Sequence, residues 1–430
     1  MKEAPRERPT EHRATGPLRH RAFLIYQGAR LLGVVAVQMM SVAVAWQVYE
    51  RTEDALALGM VGLAQFAPLF LLAPITGAVA DRFDRRRVLA CCYVVIAACA
   101  GALAWISEHP ELGATPVYVV LAVFGSARAF AGPAAQSLLP ALVPPAELAQ
   151  AIAWGSTTFQ IATIAGPALG GIIVGAAGGT AVYASCVALH AIVIVLLLVM
   201  RYSPERQEPR GVGGLERLLA GVRYVRSHRV ILGAITLDLL AVLLGGAVAL
   251  MPIYARDILH TGEWGLGLLR SAPAVGAGVV AVFLAFRPLR ARAGATMFAC
   301  VALFGIATIV FGMSTSFPLS LVALVVLGAS DMVSVVIRQT VVQITTPPEM
   351  RGRVAAVNMV FIGASNELGE LESGVTAALF GTVPAVVIGG VGTLLVTAIC
   401  ALAFPELRKV NRPEDHDARR PEADAPPAAS

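Results

Sequence analysis

Long apolar runs dominate this sequence, and they leave it few possible folds. Twelve runs are long enough to cross the ~30 Å hydrocarbon core of a bilayer, which takes about 20 residues as a helix. They lie near residues 22–49, 56–80, 87–106, 116–142, 149–177, 180–200, 229–256, 264–286, 294–312, 317–345, 353–381 and 383–404. Because backbone in hydrocarbon must satisfy its own hydrogen bonds, the sequence predicts an all-α membrane protein with twelve transmembrane helices.

Composition supports lipid as the solvent for most of the chain. Hydrophobic residues make up 57% and charged residues 14% of the 430 positions, whereas a soluble domain carries about 25% charged residues. The six cysteines lie within apolar runs and lack metal-ligand spacing to histidine, so we expect no metal and no cofactor. The basic residues are spread over many loops and form no single stripe, which argues against a nucleic-acid partner.

Lysine and arginine alternate between the two sets of connections. The second set holds little beyond Arg51 and Arg256, whereas the first set is basic throughout. The basic stretches are Lys2–Arg21, Arg82–Arg87, Arg201–Arg229, Arg287–Arg292, Arg351 to Arg353 and Arg408–Arg420. The positive-inside rule assigns this first set to the cytoplasm, so an even number of spans predicts that both termini are cytoplasmic.

One long interior connection divides the spans into six and six. The expected organisation is a cytoplasmic tail at 1–21, a six-helix half at 22–200, a linker at 201–228, a second six-helix half at 229–404 and a disordered cytoplasmic tail at 405–430. Apolar residues recur in the linker at helical spacing, which predicts an amphipathic helix on the cytoplasmic surface. They are Leu215, Leu218, Leu219, Val222 and Val225.

The two halves share a sequence repeat. Gly125–Pro145 aligns without gaps onto Gly328–Pro348 with an offset of 203 residues, and a shorter match aligns Arg30 with Asp238. Repeated halves related by an axis along the membrane normal are typical of transporters, whose substrate site lies between the halves near mid-depth. The sequence therefore predicts two pseudo-symmetric halves and a small-molecule substrate.

Charged residues inside the predicted spans are candidates for proton coupling. A charge in hydrocarbon costs ~2.5–3.5 kcal/mol even on insertion scales, so it must face a cavity or a partner. The candidates are Glu367, Glu370, Asp331, Arg128, Asp238 and Arg30. We expect the first four to reach one another across the pseudo-axis, with at least one carboxyl protonated during part of the cycle, because burial and like charges disfavour ionisation. The alternative is that the acids are permanently paired with Arg30, Arg128 or Arg338 and only hold helices together.

Polar residues in the spans and in one loop complete the candidate sites. The candidates for the substrate cavity are Gln38, Gln136, Gln160, Arg338, Gln339, Asn358 and Asn366. Each glutamine could instead bridge two helices. A charged loop between spans two and three supplies a candidate gate, formed by Gly77, Asp81, Arg82, Asp84 and Arg85. Catalytic Ser/His/Asp sets and phosphate-binding loops are absent at the predicted membrane faces, so we expect no enzyme.

Three motifs resemble those of the major facilitator superfamily. The loop Gly77-x-x-x-Asp81-Arg-Phe-Asp84-Arg85 resembles the signature loop, and Arg128-x-x-x-Gly132 resembles the fourth-span motif. Gly166-Pro167-x-x-Gly170-Gly171 resembles the fifth-span antiporter motif, which is typical of exporters. Within the superfamily the chain is most similar to the branch of the enterobactin exporter and the macrolide-efflux proteins. That similarity lies in Arg223–Val225, Pro347–Arg353 and Asn366–Glu370.

This resemblance implies a function and roles for particular residues. It implies a monomeric secondary transporter of the bacterial inner membrane that exports a siderophore or a drug-like solute against protons by alternating access. Asp81 and Arg85 would latch helix ends in the outward-open state, and Arg128 would serve proton coupling. Proton-coupled uptake of a metabolite by the same fold is the alternative, because only the fifth-span motif argues against it.

Overall fold

The computed structural model describes residues 16–201, 214–287 and 292–410. The described chain is helical, which confirms the predicted all-helical membrane architecture. Its helices are α1 Arg21–Thr52, α2 Ala55–Arg82, α3 Arg85–Ser107, α4 Thr115–Leu138, α5 Leu148–Val199, α6 Gly214–Ser227, α7 Arg229–Leu244, α8 Met251–Ile253, α9 Gly262–Phe286, α10 Ala293–Met313, α11 Phe317–Thr345, α12 Pro348–Phe380, α13 Thr382–Ala403 and α14 Pro405–Arg408. The predicted tail segments 1–15 and 411–430 lie outside these residues, as does the linker segment 202–213.

Ten helical stretches in the described chain are long and apolar enough to cross a membrane. One of them, Pro145–Val199, is 55 residues long and covers two predicted runs. Its backbone leaves helical geometry at Gly178, where φ is 81°, a conformation that glycine adopts without a steric penalty. The eleventh predicted run corresponds to α12, which is long enough at 33 residues but carries several acidic side chains. The helices thus account for all twelve predicted runs.

The helices form two bundles that meet along two helix pairs. In the first bundle α1 packs on α5, α2 on α4, and α3 on both α4 and α5. In the second, α9 and α10 pack on α11, α10 also packs on α13, and α7 packs on α12 and α13. The bundles contact each other mainly through α2 against α12 and α5 against α9.

The sequence repeat has a structural counterpart in the crossing of one helix pair in each bundle. A Cβ atom on Gly125 of α4 would collide with the carbonyl oxygen of Gln65 on α2. A Cβ atom on Gly328 of α11 would likewise collide with the carbonyl oxygen of Pro273 on α9. Since small residues let helix backbones approach closely, equivalent glycines make equivalent crossings in the two bundles.

The two ends of the molecule differ in charge. The arginine-rich end carries Arg85, Arg201, Arg229 and Arg408, and the opposite end carries the α1–α2 connection and the turn at Gly178. The amphipathic helix α6 lies at the arginine-rich end, where Gly221 meets the backbone of Arg353 on α12. Val225 is buried between α7 and α12, while Leu219 is 56% exposed. The side chains of Leu215 and Leu218 are outside the described set.

Candidate functional site

A cavity of about 240 Å³ lies between the two bundles. It is bounded by α1, α2, α4, α5, α9, α12 and the short 3-10 helix Ala247–Leu250. Much of its wall is apolar, with Gln38, Ser41 and Gln65 as the uncharged polar members. Four charged side chains also line it, namely Arg128, Arg270, Glu367 and Glu370. The cavity is therefore a small chamber lined by apolar side chains, uncharged polar groups and both signs of charge.

Arg128 and Glu367 form an ion contact from one bundle to the other. Arg128 Nη1 lies 3.8 Å from Glu367 Oε1. The same nitrogen lies 3.3 Å from Gln65 Oε1, to which it donates. The Arg128 guanidinium carbon lies 5.6 Å from the ring centroid of Phe124 on the preceding turn. Both members of the contact were predicted as proton-coupling residues, and the structure brings them together in the cavity wall.

Glu370 lies one helical turn beyond Glu367 on the same face of α12, because residues three apart are neighbours on a helix surface. A Cβ atom on Gly62 of α2 would lie 2.8 Å from Glu370 Oε2, so a larger residue would displace this carboxylate. Arg270 and Arg128 are the cations that interact with Glu370 electrostatically. Two neighbouring carboxylates thus share two arginines, which is an arrangement that can hold or release a proton.

Arg270 was missed by the sequence analysis, although it carries the signal that identified the other charges. It lies within the predicted run 264–286, and a charge at that depth requires a cavity or a partner. Its Nη1 donates to Ser41 Oγ on α1 at 2.5 Å. This hydrogen bond joins α9 of the second bundle to α1 of the first.

A second group of charges is buried within the second bundle. Arg338 Nη1 lies 2.5 Å from Asp238 Oδ2, and the two side chains are only 3% and 9% exposed. The same Arg338 nitrogen lies 3.3 Å from Asn358 Oδ1. Asp331 interacts electrostatically with both Asp238 and Arg338. The structure therefore groups Asp331 with this pair, and Asp331 is not among the residues that line the cavity with Arg128.

Arg30 lies in the first bundle, away from the candidate acids. A Cβ atom on Gly155 of α5 would lie 2.5 Å from Arg30 Nη1, and Arg30 interacts electrostatically with Tyr26 and Tyr93. Ion contacts between an acid and an arginine are present for Arg338 with Asp238 and, at a longer distance, for Arg128 with Glu367. In the part of the chain that is described, Arg30 forms no such pair.

The remaining candidates for the substrate cavity take several positions. Gln38 lines the cavity. Gln160 donates to the Ala274 carbonyl on α9, and Gln136 Nε2 lies 3.4 Å from Met359 Sδ on α12, so both bridge the two bundles. Gln339 and Asn366 are exposed. Their roles in substrate binding stay predictions.

The charged loop after α2 joins three helices of the first bundle. Asp84 caps α3 by accepting hydrogen bonds from the backbone nitrogens of Arg86 and Arg87. Arg85 Nη1 donates to the Ser137 carbonyl near the end of α4 at 2.9 Å, and Arg86 Nη1 to the Met200 carbonyl after α5 at 2.7 Å. Gly77 and Asp81 lie in the last turns of α2, and Arg82 ends it. The side chain of Asp81 is outside the described residues, so its part in a latch stays a prediction.

A compact contact closes the opposite end, and we call its four residues the opposite-end latch: Tyr49, Glu53, Arg256 and Asp257. Arg256 Nη2 lies 2.7 Å from Glu53 Oε1, and the Tyr49 hydroxyl donates to Asp257 Oδ2. Each contact joins the end of α1 to the π-helical turn Tyr254–Ile258. The two bundles are therefore in contact at this end.

The all-helical membrane fold, the repeated helix crossings and the charged cavity between two bundles are the features expected of a secondary transporter. The chain belongs to the major facilitator superfamily, in the family of transmembrane secretion effectors (MFS_3), which matches residues 12–426. It is thus a transporter and not an enzyme.

Two similar proteins bear the name of enterobactin exporters. The chain is 26% identical over 399 residues to the enterobactin exporter EntS of Citrobacter koseri, covering 92% of this chain and 94% of the relative. It is 25% identical over 395 residues to the same-named protein of Shigella boydii, covering 91% and 93%.

Solved structures with the same fold are more distant in sequence. A bacterial homologue of the human lysosomal transporter Spinster, inward-facing and occupied, has a TM-score of 0.73 at 14% identity and covers 90% of this chain and 97% of its own. The POT family transporter PepTSo has a TM-score of 0.70 at 12% identity, covering 90% and 98%. These likenesses concern the fold alone.

Proposed function

We propose that this protein is a proton-coupled exporter of a small solute, either a siderophore or a drug-like compound. It acts as a monomer in the bacterial inner membrane, and its arginine-rich end and both termini face the cytoplasm. The two halves, 22–200 and 229–404, rock about the cavity in alternating access. The similarity to the enterobactin exporters supports the direction of transport.

The observation that carries the proposal is the charge group in the cavity wall. Glu367 and Glu370 lie on one helix of the second bundle, while Arg128 approaches them from the first. A proton on Glu367 removes the charge that attracts Arg128 across the interface, so proton occupancy changes the attraction between the bundles. Arg128 thereby senses the charge of the carboxylates, with Glu367 and Glu370 as the leading proton carriers.

Asp331 is a third carrier in this proposal. The buried group in the second bundle holds two carboxylates, Asp238 and Asp331, against the single guanidinium of Arg338. One negative charge is therefore uncompensated there, and a buried charge without a partner is costly. A proton on Asp331 removes that cost.

Transport in everted membrane vesicles tests direction and coupling together. With the vesicle interior acidified, iron-free enterobactin or ethidium should accumulate inside, and a protonophore should abolish the accumulation. A proton-coupled uptake protein would instead accumulate its solute in right-side-out vesicles with acid outside. If accumulation in everted vesicles did not depend on the proton gradient, the proposed coupling would be excluded.

A further inference from the structure

Arg270 is a cation inside the membrane that lacks a close acidic partner. Its Nε is buried and has no hydrogen-bond partner among the described residues. Arg128 and Arg338 each form an ion pair with a carboxylate, whereas Arg270 forms none within the described chain. Its hydrogen bond is to the neutral hydroxyl of Ser41. The guanidinium therefore has further N–H donors available for a second partner, since it carries five N–H groups.

The two candidate partners of Arg270 lie in different bundles. Ser41 belongs to α1 of the first bundle, at 2.5 Å from Arg270 Nη1. Glu370 belongs to α12 of the second bundle, which also contains Arg270, and it interacts with Arg270 electrostatically. A bond to Ser41 ties the bundles together, whereas a bond to Glu370 would lie within one bundle.

The Ser41–Arg270 contact lies on the side of the cavity nearer the opposite end. Arg270 is about two helical turns inside the start of α9 at Gly262, and Ser41 is about three turns before the end of α1 at Thr52. Both helices lead from this contact to the opposite-end latch. Breaking the contact would therefore loosen the closure of the opposite end.

We propose that Arg270 is a proton-dependent strut, which holds the opposite end closed through Ser41 when Glu370 is protonated and leaves Ser41 for Glu370 when Glu370 is ionised. The physical reason is that a hydrogen bond between two charged groups is stronger than one to a neutral hydroxyl. Arg270 is thus a positioning residue that links proton occupancy to conformation. The inference rests on the proposed function.

The direction in which Glu370 protonation shifts the conformation matches an exporter driven by proton influx. In such a cycle the protonated protein returns to the inward-facing state, in which the opposite end is closed. The deprotonated protein, loaded with solute, must open the opposite end. Ionised Glu370 removes Arg270 from Ser41 and so favours that opening.

The other groups facing Glu370 bear on the same equilibrium. Glu367 lies on the same helix, Arg128 approaches from α4, α2 presents Gly62, and α1 presents Ser41 to Arg270. Arg128 also attracts the ionised carboxylate of Glu370. A pH dependence that is smaller than in the wild type but remains in Arg270→Gln would be assigned to Arg128 and Glu367.

Distances between two spin labels at the opposite end test the strut in the reconstituted full-length protein. Glu111 in the first bundle and Thr315 in the second are exposed and lie outside the proposed machinery. In a cysteine-free background, labels at these two positions should report the fraction of molecules whose opposite end is open. That fraction should grow as the pH rises. Glu370→Gln should keep that population at its low-pH level throughout.

The strut variants should differ from their matched controls. Ser41→Ala should raise the open population at low pH by about tenfold, the ratio expected for loss of a hydrogen bond to a charged group. Ser185→Ala should have no effect, because the Ser185 hydroxyl bonds within its own helix. Arg270→Gln should lose most of the pH dependence and Arg270→Lys should retain it. Arg229→Gln, an exposed arginine at the arginine-rich end, controls for loss of charge.

Either of two results would contradict the strut proposal. One is a distance distribution for Ser41→Ala that equals that of the wild type at every pH. The other is an unchanged pH dependence of the open population in Arg270→Gln. If Arg270→Gln fails to fold, Ser41→Ala and Arg270→Lys carry the test. Proton-linked export that survives alongside either result leaves the proposed function standing. A pH-dependent strut without proton-linked solute transport would refute the proposed function alone.

Discussion

Arg338 and Asp238 are nearly excluded from solvent, and Asp238 depends on Arg338 for its charge to be tolerated. Replacing one partner of a buried ion pair leaves an uncompensated charge, which typically costs about 3–5 kcal/mol of stability. We therefore expect Arg338→Gln, which leaves Asp238 and Asp331 without their shared cation, to lower the thermal unfolding midpoint of the detergent-purified protein markedly.

The matched control for this residue is Arg229→Gln. Arg229 pairs with Glu406 at 3.5 Å, but the two side chains are 67% and 43% exposed, and exposed pairs contribute about 0–1 kcal/mol. Its unfolding midpoint should stay near that of the wild type. Equal losses in the two variants would contradict a special role for the buried pair.

Sequence reasoning at the residue scale succeeded where depth alone was decisive. Glu367 and Arg128 were found because a charge near the middle of an apolar run requires a cavity or a partner. The same reasoning could have found Arg270 and did not. It could not group Asp331 with Asp238, because helical spacing gives the face of a residue but not the neighbour that covers it.

At the scale of elements, α5 and α9 form one of the two main contacts between the bundles. A Cβ atom on Gly171 would lie 2.7 Å from the Cα of Gly267 and 2.6 Å from the Glu263 carbonyl oxygen. Real Cβ atoms do not approach backbone so closely, so α5 and α9 must separate if Gly171 is substituted. The fifth-span glycine motif therefore permits close approach of the bundles.

We expect Gly171→Ala to lower the transport rate severalfold by holding α5 and α9 apart near the opposite end. Gly28→Ala on α1 is the control, because a Cβ atom there meets nothing within 4 Å and alanine favours a helix by about 1 kcal/mol over glycine. Initial rates in everted vesicles provide the measurement. Normal transport by Gly171→Ala would show that the close approach is dispensable.

The apolar runs that form the long helices, and their order, were predictable because each run must form its own hydrogen bonds in lipid. The turn at Gly178 was also placed correctly between two runs, although it interrupts one continuous helix by a single residue. The packing of α6 against α12 was not predictable, since its helical spacing would suit a membrane surface equally well.

In the whole molecule, contacts cross between the bundles at different depths. The opposite-end latch closes one end, the Ser41–Arg270 contact lies deeper, and Arg128 meets Glu367 in the cavity wall. The cavity of about 240 Å³ is smaller than the roughly 300–1,000 Å³ typical of sites for drug-sized ligands. A solute of that size therefore requires the bundles to move apart.

Proton coupling through Glu370 is separated from solute movement by comparing two modes of transport in Glu370→Gln. Exchange of labelled for unlabelled solute needs no net proton movement, whereas accumulation against a gradient does. Glu372→Gln is the matched control, because Glu372 accepts a hydrogen bond from Thr376 at 2.9 Å and is not among the residues that line the cavity. We expect Glu370→Gln to lose gradient-driven accumulation but to retain exchange, at a rate lowered by its smaller open population, while Glu372→Gln retains both. Accumulation by Glu370→Gln that still followed the proton gradient would contradict this expectation.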